Sequence, residues 1–489
     1  MPKLVARPYQ QAILDATWDK ASVALFLKQG LGKTKVLLDT AECLYNDGKI
    51  RGAVVVSKRT VCGNWELEEI PKHLDNVRVF NYRQDKVVQW AFERPEHHSY
   101  QGAKPQMRIL LISDGQLRTS HGLKYVEKFL TLVGKALLVV DESTIIKNPT
   151  ARITKTCLYL SKLTEQIPYR RIMCGEPAPQ GPADLFSQYT FLDPNILGIR
   201  SFVSYKHAYC EESQTYIGSG RKIDTPTGRW AEGMETLFDT KVAPYTVKLR
   251  KEDALPDLPP KQYVVCKFEM NPAARKIYEK LQNEYFTDFV TKSGTGEITA
   301  TLALSRAIRL HQIASDYVKG DDGVTHYHES GKFDVLMDIL RERPPGSKTI
   351  IWAHYRATID GIEKRLHALG IGSAVVYGGM SECDRTTALT RFQTTSDCNI
   401  LIANPATAGW GLTLIEADTA IYYANSYNFE HRDQSEDRIH RIGQTATAVT
   451  YYDLVATDTV DELILDCLRR KADFSKTLLQ SISHVFAPK

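Results

Sequence analysis

The chain alternates short apolar runs with amphipathic stretches near its start, and repeats the pattern near its end. SVALFL (Ser22 to Leu27), GAVVVS (Gly52 to Ser57), RILLIS (Arg108 to Ser113), ALLVVD (Ala136 to Asp141) and RRIMCG (Arg170 to Gly175) have strand length and strand composition. The second series is KTIIWAHY (Lys348 to Tyr355), SAVVYG (Ser373 to Gly378), NILIAN (Asn399 to Asn404), TAIYYAN (Thr419 to Asn425) and VTYYDLVA (Val449 to Ala456). Strands alternating with amphipathic segments predict parallel sheets flanked by helices, so the fold class is α/β with two tandem lobes. Between the two series, 195–330 has no comparable strand series and shows helical periodicity in AARKIYEKLQNEYFTDFV and TLALSRAIRLHQIA. The expected organisation is a first lobe over 1–194, helical insertions and a linker over 195–330, and a second lobe over 331–489. TVDELILDCLRRK, with Thr459 and Glu462 at capping-box spacing, predicts a closing helix on the second core.

Two polar stretches read as surface. Ser213 to Trp230, rich in Gly, Ser and Thr and carrying Arg221, Lys222 and Arg229, is expected to be an exposed loop. The segment around His97 and His98 reads as a surface insertion, because no spaced third ligand accompanies the pair. Nothing in the chain reads as a strand-splitting hairpin.

Composition narrows the setting. A length of 489 residues suits two cores of ordinary size, and 43% apolar with 25% charged residues is the balance of a soluble globular protein. No apolar run reaches membrane-spanning length, and MPKLVARPYQQ holds no apolar segment of signal-peptide type. The expectation is a cytoplasmic protein, in a prokaryote or a phage-infected host, or a nuclear one, neither secreted nor membrane-bound. The nine cysteines are scattered without a CxxC pair, which predicts reduced thiols, mostly buried. Net charge is only +4, so a nucleic-acid surface would have to come from local clustering.

Candidate chemistry begins at GLGKT, which follows a strand and opens a helix. Gly30 and Gly32 let backbone N–H groups approach phosphates, Lys33 neutralises the β and γ oxygens, and Thr34 offers a hydroxyl to magnesium. The upstream glycine of the usual pattern is replaced by Leu27, so a purely structural loop is the plain alternative. DEST at the end of ALLVV adds carboxylates: Asp141 to hold the water shell of the metal and Glu142 to orient an attacking water. A solvated acidic strand end is the alternative there. Hydrolysis of a γ-phosphate gains from a cation that meets the transition state, and HRIG supplies Arg441, with Arg438 about one turn earlier. A surface charge cluster is the bland reading of any single RxxR.

Taken with their neighbours, these segments resemble the Swi/Snf-type ATPases of helicase superfamily two, over nearly the whole chain. RPYQ (Arg7 to Gln10) is similar to the adenine-reading Q motif, VVVSKRTVCGNWELE from Val54 to motif Ia, and VVDESTIIKNPTAR from Val139 to motif II. IMCGEPAPQGPADLFSQYTFLDP from Ile172 resembles motif III and its extension, and DLPPKQYVVCKFEMNPAARKIYEKL from Asp257 the segment between lobes. GGMSECDRTTALTRF, ANPATAGWGLTLIEADTAIYY and DRIHRIGQ resemble motifs IVa, V and VI. Two positions depart: Thr144 stands for a histidine of motif II, and Glu176 for a threonine of motif III.

The resemblance implies two RecA-like lobes, ATP and Mg2+ as cofactors, and double-stranded or branched DNA as partner to a monomer. It adds Arg7, Gln10, Gln434 and Gly411 to the nucleotide-binding set. It carries DNA contact to Lys58, Arg59, Trp65, Ser113, Tyr355, Gly379, Arg385 and Thr407, each Lys or Arg having a solvated surface charge as its alternative. WAHY at Trp352 and GLTL at Gly411 lean toward the annealing-helicase branch. The function implied is ATP-driven translocation on duplex DNA with remodelling of DNA structures. A strand-separating DNA or RNA helicase and a catalytically weak DNA-binding scaffold are the alternatives.

Overall fold

The structure is a computed structural model and describes residues 5–82, 106–217, 221–292, 300–320, 323–406, 412–470 and 474. The chain divides into two compact units, Met1–Pro256 and Asp257–Lys489. Among the described residues, no helix is long and apolar enough to cross a membrane. No cysteine is disulfide-bonded, and six of the nine are buried.

The first unit is built on a seven-stranded parallel sheet. Its strands are β1 (Ser22–Leu27), β2 (Gly52–Ser57), β3 (Val77–Asn81), β4 (Met107–Ser113), β5 (Ala136–Asp141), β6 (Tyr169–Met173) and β9 (Thr246–Leu249), in the order β3-β4-β2-β5-β6-β1-β9. Successive residues of β1 enter opposite layers: Val23, Leu25 and Leu27 join one apolar cluster, Ala24 and Phe26 the other. A sheet covered on both faces has no polar side, which is why these strands are continuous apolar runs.

The second unit repeats the plan. β10 (Lys261–Phe268), β13 (Lys348–Ala353), β14 (Ser373–Val376), β15 (Ile400–Ala403), β16 (Ala417–Ala424) and β17 (Val449–Ala456) form a six-stranded parallel sheet ordered β10-β17-β16-β13-β15-β14. Ile350 and Trp352 face one cluster, Ile351 and Ala353 the other. The fold is therefore α/β with two tandem RecA-like lobes.

The intervening 195–330 differs from the expected single block, because it is shared between the units. Its first part ends in β9, which extends the first sheet beside β1, while β10 pairs with β17 along its full length. Four-residue β9 has too little pattern to read, and β10, an edge strand, mixes polar and apolar residues. The helices Pro272–Lys292 and Ala300–Ala314 then pack on the closing helix Val460–Arg470, through Ala274, Tyr278, Ala307 and Leu310 against Val460, Ile464 and Leu468. Thr459 does cap that helix, accepting from the Asp461 N–H at 3.2 Å, but Glu462 turns outward to Lys267 at 2.9 Å.

Among the described residues of Ser213 to Trp230, strands stand where a loop was expected. β7 (Cys210–Ile217) and β8 (Arg221–Trp230) form an antiparallel hairpin, paired from Cys210 with Trp230 to Ile217 with Arg221. Thr215, Thr225 and Thr227 are β-formers that its Gly and Ser content obscured. An isolated two-stranded ribbon is marginal, so its base is anchored. Trp230 packs on Phe238 with ring centroids 5.0 Å apart. The stem also crosses the backbone of the loop after β6 so closely that a Cβ on Gly181 (φ 111°) would lie 2.2 Å from the Gly228 carbonyl oxygen. A second small ribbon pairs β11 (Tyr317–Lys319) with β12 (Thr325–Tyr327). His97 and His98 lie outside the described residues.

Candidate nucleotide and nucleic-acid sites

In the first unit, β1 ends at Leu27 and the helix Lys33–Asn46 begins six residues later. The first N–H groups of a helix have no intrahelical partner, the arrangement that receives anions. Gly32 holds the turn with φ 75°, and a Cβ there would stand 2.3 Å from the Gln10 side-chain nitrogen. Gln10, buried at the start of the helix Pro8–Thr17, spans the gap: its carbonyl accepts from Arg7 N–H at 3.0 Å and its amide donates to the Leu31 carbonyl at 3.1 Å. Thus Gln10 braces the glycine loop against the N-terminal helix, while Arg7 is exposed. Lys33 Nζ donates to the Leu27 carbonyl at 3.0 Å. Thr34 is half-buried at the second position of the helix.

The carboxylate pair stands at the end of β5. Asp141 is nearly buried and accepts from the Trp65 indole N–H and from the Glu142 N–H, both at 3.0 Å. Burial, then the charge of Glu142, push its carboxyl up to about 6, against the opposing pull of Trp65 and Lys33. A carboxylate so placed gains from a nearby cation. Glu142 has φ 52°, a left-handed conformation that costs a non-glycine residue on the order of 1 kcal/mol. Its carboxylate accepts from the Cys174 thiol at 3.6 Å.

The loop after β6 is tied to the same place. Ser143 donates to Gln188 at 2.5 Å, and Gln188 donates to the Pro177 carbonyl at 2.7 Å. Lys147 pairs with Asp184 at 3.5 Å, and Glu176 with Lys28 at 2.8 Å. Sequence reading noted Glu176 as a departure but missed Lys28, whose partner lies 148 residues away and leaves no local signal.

In the second unit, the helix Phe429–Ile439 carries Gln434 and Arg438, and the turn after it carries Arg441. Gln434 is half-buried. Arg438 is buried and donates to the Leu412 carbonyl at 3.4 Å. Arg441 is partly exposed, and no ion pair or side-chain hydrogen bond engages it among the described residues. The turn is fastened around it by Gln444, which donates to the Ala417 carbonyl at 2.8 Å, and by His440, which meets the Pro259 carbonyl at 2.9 Å.

The expected DNA-contact residues divide. Lys58 and Arg59 are exposed beside the end of β2, Gly379 is exposed with φ 95°, and Arg385 is partly exposed on the helix Glu382–Thr394. Trp65 is corrected: it is 1% exposed, and its only polar atom serves Asp141. Ser113 is also corrected, being 2% exposed and capping the short helix Asp114–Leu117 by accepting from the Gln116 N–H at 3.3 Å. The Tyr355 hydroxyl points inward, bonded to His311 Nδ1 at 2.9 Å and to Tyr427. Trp65 and Ser113 are buried side chains with no free face for a phosphate, and Tyr355 is half-buried with its hydroxyl engaged inside the protein. Thr407 and Gly411 lie outside the described residues.

A glycine loop opening a helix beside a strand-end carboxylate pair defines a phosphate-binding α/β unit, here followed by a second α/β unit carrying a partly exposed arginine. The sequence matches the SNF2-related domain over residues 14–317 and the helicase conserved C-terminal domain over residues 331–443, and the chain belongs to the SNF2-related family. It is 24% identical over 504 residues to the SWI/SNF-related matrix-associated actin-dependent regulator of chromatin subfamily A-like protein 1 of Drosophila melanogaster, covering 100% of this chain and 58% of that protein. It is 24% identical over 384 residues to the DNA annealing helicase and endonuclease ZRANB3 of Mus musculus, covering 77% of this chain and 33% of that one. The chain thus spans less than two thirds of these relatives. Among solved structures it is similar to the Sulfolobus solfataricus SWI2/SNF2 ATPase core in complex with dsDNA, with 23% identity, a TM-score of 0.43, and coverage of 100% and 98% of the two chains.

Proposed function

We propose that the chain is an ATP-driven translocase on double-stranded DNA that remodels DNA structures, working as a monomer in a cytoplasmic or nuclear setting. The observation that carries this reading is the first-unit site, where the Gly30–Thr34 turn with Lys33 follows β1 and Asp141 and Glu142 end β5, the two strands on either side of β6, with Lys33 near enough for its charge to act on Asp141. Gly30, Gly32 and Lys33 receive the β- and γ-phosphates. Thr34 and Asp141 would hold Mg2+, which supplies charge stabilisation of the transferring phosphoryl group when bound. Glu142 orients and deprotonates the attacking water. Arg441 presents positive charge to the developing transition state, supported by Arg438. Arg7 reads the base.

The exposed Lys58, Arg59, Gly379 and Arg385 are proposed to grip phosphates of the duplex. Contacts of this kind carry little sequence information, so binding should be largely non-specific and weaken with salt. Branched DNA is the preferred working substrate in this reading, supported by the similarity to the mouse protein named an annealing helicase. Translocation through a junction drives complementary strands to re-pair without any added catalytic group.

A second reading, strand separation, gains support from the β7–β8 hairpin, which sequence reading did not foresee. Displacement of a triplex-forming strand, set beside unwinding of a blunt duplex, tests the two. The translocase reading expects triplex displacement with the duplex left intact. Efficient unwinding that disappears when the hairpin is shortened would favour strand separation.

A further inference from the structure

The segment that leads into the second unit, Asp257–Pro260, does not simply connect. Its Pro259 carbonyl meets His440, the residue before Arg441, at 2.9 Å, and its Pro260 carbonyl accepts from the Val449 N–H at 3.0 Å. The next residue, Lys261, reaches Glu436 on the arginine-bearing helix at 3.0 Å and Asp437 at 3.9 Å. Tyr263 donates to the same Glu436 oxygen at 2.7 Å, although more than half of its surface is exposed. Its ring stacks on Tyr451 with centroids 5.3 Å apart, so the hydroxyl is held where it is by packing.

Glu436 is the hub of this contact. Its other oxygen accepts from Arg432 Nε at 2.8 Å, and Arg432 in turn donates to Asp453 at 2.5 Å and to Asn425 at 2.9 Å. Burial would favour the neutral acid, but Arg432 and Lys261 outweigh it and hold the Glu436 carboxyl below the usual range. Lys261 and Arg432 face Glu436 and Asp453, with Asp437 at the outer edge of the group, and all but Lys261 are buried. Such a network is stiff when every member is satisfied and costly when one is removed.

We propose that Lys261, Tyr263 and the Pro259 carbonyl are positioning residues for Arg441, forming a clamp by which the segment entering the second unit sets the orientation of the arginine-bearing helix and turn. This rests on the reading of Arg441 as the residue that meets the γ-phosphate. The clamp acts by fixing both ends of a short element: Glu436 inside the helix and His440 at its exit. A segment usually treated as a tether thereby becomes a control point for nucleoside-triphosphate turnover.

The test measures kcat and KM for ATP in duplex-stimulated phosphate release, with thermal unfolding in parallel, on full-length Lys261→Met, Lys261→Arg, Tyr263→Phe, Arg441→Ala and the double variant Lys261→Met/Glu436→Gln. The expected result is that Lys261→Met loses at least tenfold in kcat with KM within twofold, and that Lys261→Arg recovers most of it. The double variant removes one charge of each sign and leaves no lone carboxylate where Lys261 met Glu436, so it should melt near the wild type yet keep the low kcat. Tyr263→Phe leaves every charge in place, folds, and loses about threefold. A folded double variant and Tyr263→Phe with wild-type kcat would overturn the clamp while a thousandfold loss in Arg441→Ala upheld the reading beneath it. If Arg441→Ala also kept its rate, that reading itself would fall.

Discussion

The two units handle charge in opposite ways. In the first, the charged groups of the site are each held lightly: Lys33 by one backbone carbonyl, Glu142 by one thiol, Asp141 by an indole and a backbone N–H. In the second, the charges around the arginine-bearing helix close on one another through Arg432, Asp453, Glu436 and Lys261, and Arg441 stands outside that ring. In the proposed function the first arrangement is a receptor for phosphate and metal. In the same reading the second is a holder, whose charges fix the helix that leads into Arg441. Catalysis by preorganised charge needs both, since the transition state gains only from groups that need not reorganise.

The sharpest way to break this contrast is to remove one group from each side. Glu142→Gln should bind ATP and lose on the order of a thousandfold or more in turnover, and Arg441→Ala should lose on the order of a thousandfold. Steady-state phosphate release together with nucleotide binding checks both. A next test concerns the loop that makes the receptor. Gly32→Ala must adopt φ 75° and displace the Gln10 amide, so nucleotide affinity should collapse, with about 1–2 kcal/mol of stability lost from the strained backbone. Equilibrium titration with ATP would show it.

Trp65→Phe tests whether the indole serves Asp141. Removing a partner that orients a metal-binding group commonly costs ten- to a hundredfold in metal affinity, and that loss is expected in the Mg2+ dependence of the rate, with DNA affinity unchanged. Weaker DNA binding with normal Mg2+ dependence would restore the surface role first expected of Trp65.

The smallest effect belongs to the core of the second unit. His311 is fully buried between Tyr355, Tyr427 and Asp461, and burial, then Lys332, keep its pKa well below the ordinary 6.5. His354 is lowered in the same way, to about 4. Both bind protons more readily when unfolded, so their contribution is complete above about 6.5 and is lost as the pH falls below it. Urea unfolding at pH 7.5 and 5.5 should show the wild type weakening, and His311→Gln weakening less.

The receptor was legible in the sequence because its parts are local: GLGKT and DEST are contiguous and sit at strand ends that apolar runs already marked. Asp141, Glu142 and Lys33 could be named at sight. Trp65 could not be placed correctly, since its partner lies 76 residues away and a tryptophan in a motif Ia segment suits a surface as well as a core. The holder was less legible for the same physical reason. HRIGQ could be seen, but Lys261, Glu436 and Asp453 meet only because β10 and β17 pair and the helix Phe429–Ile439 lies over them. The hairpin was hidden by glycine and serine at positions where threonine and the anchoring of Trp230 decide the outcome.

The central claim is that hydrolysis in the first-unit receptor is completed by Arg441 and driven by duplex DNA. It is tested most directly by phosphate release from wild type and Arg441→Ala, with and without double-stranded DNA at one fixed salt concentration. The account predicts a weak wild-type rate that rises strongly with DNA, and a variant that stays near the unstimulated rate in both conditions. A wild-type rate indifferent to duplex DNA, or an Arg441→Ala variant stimulated as strongly as the wild type, would contradict it.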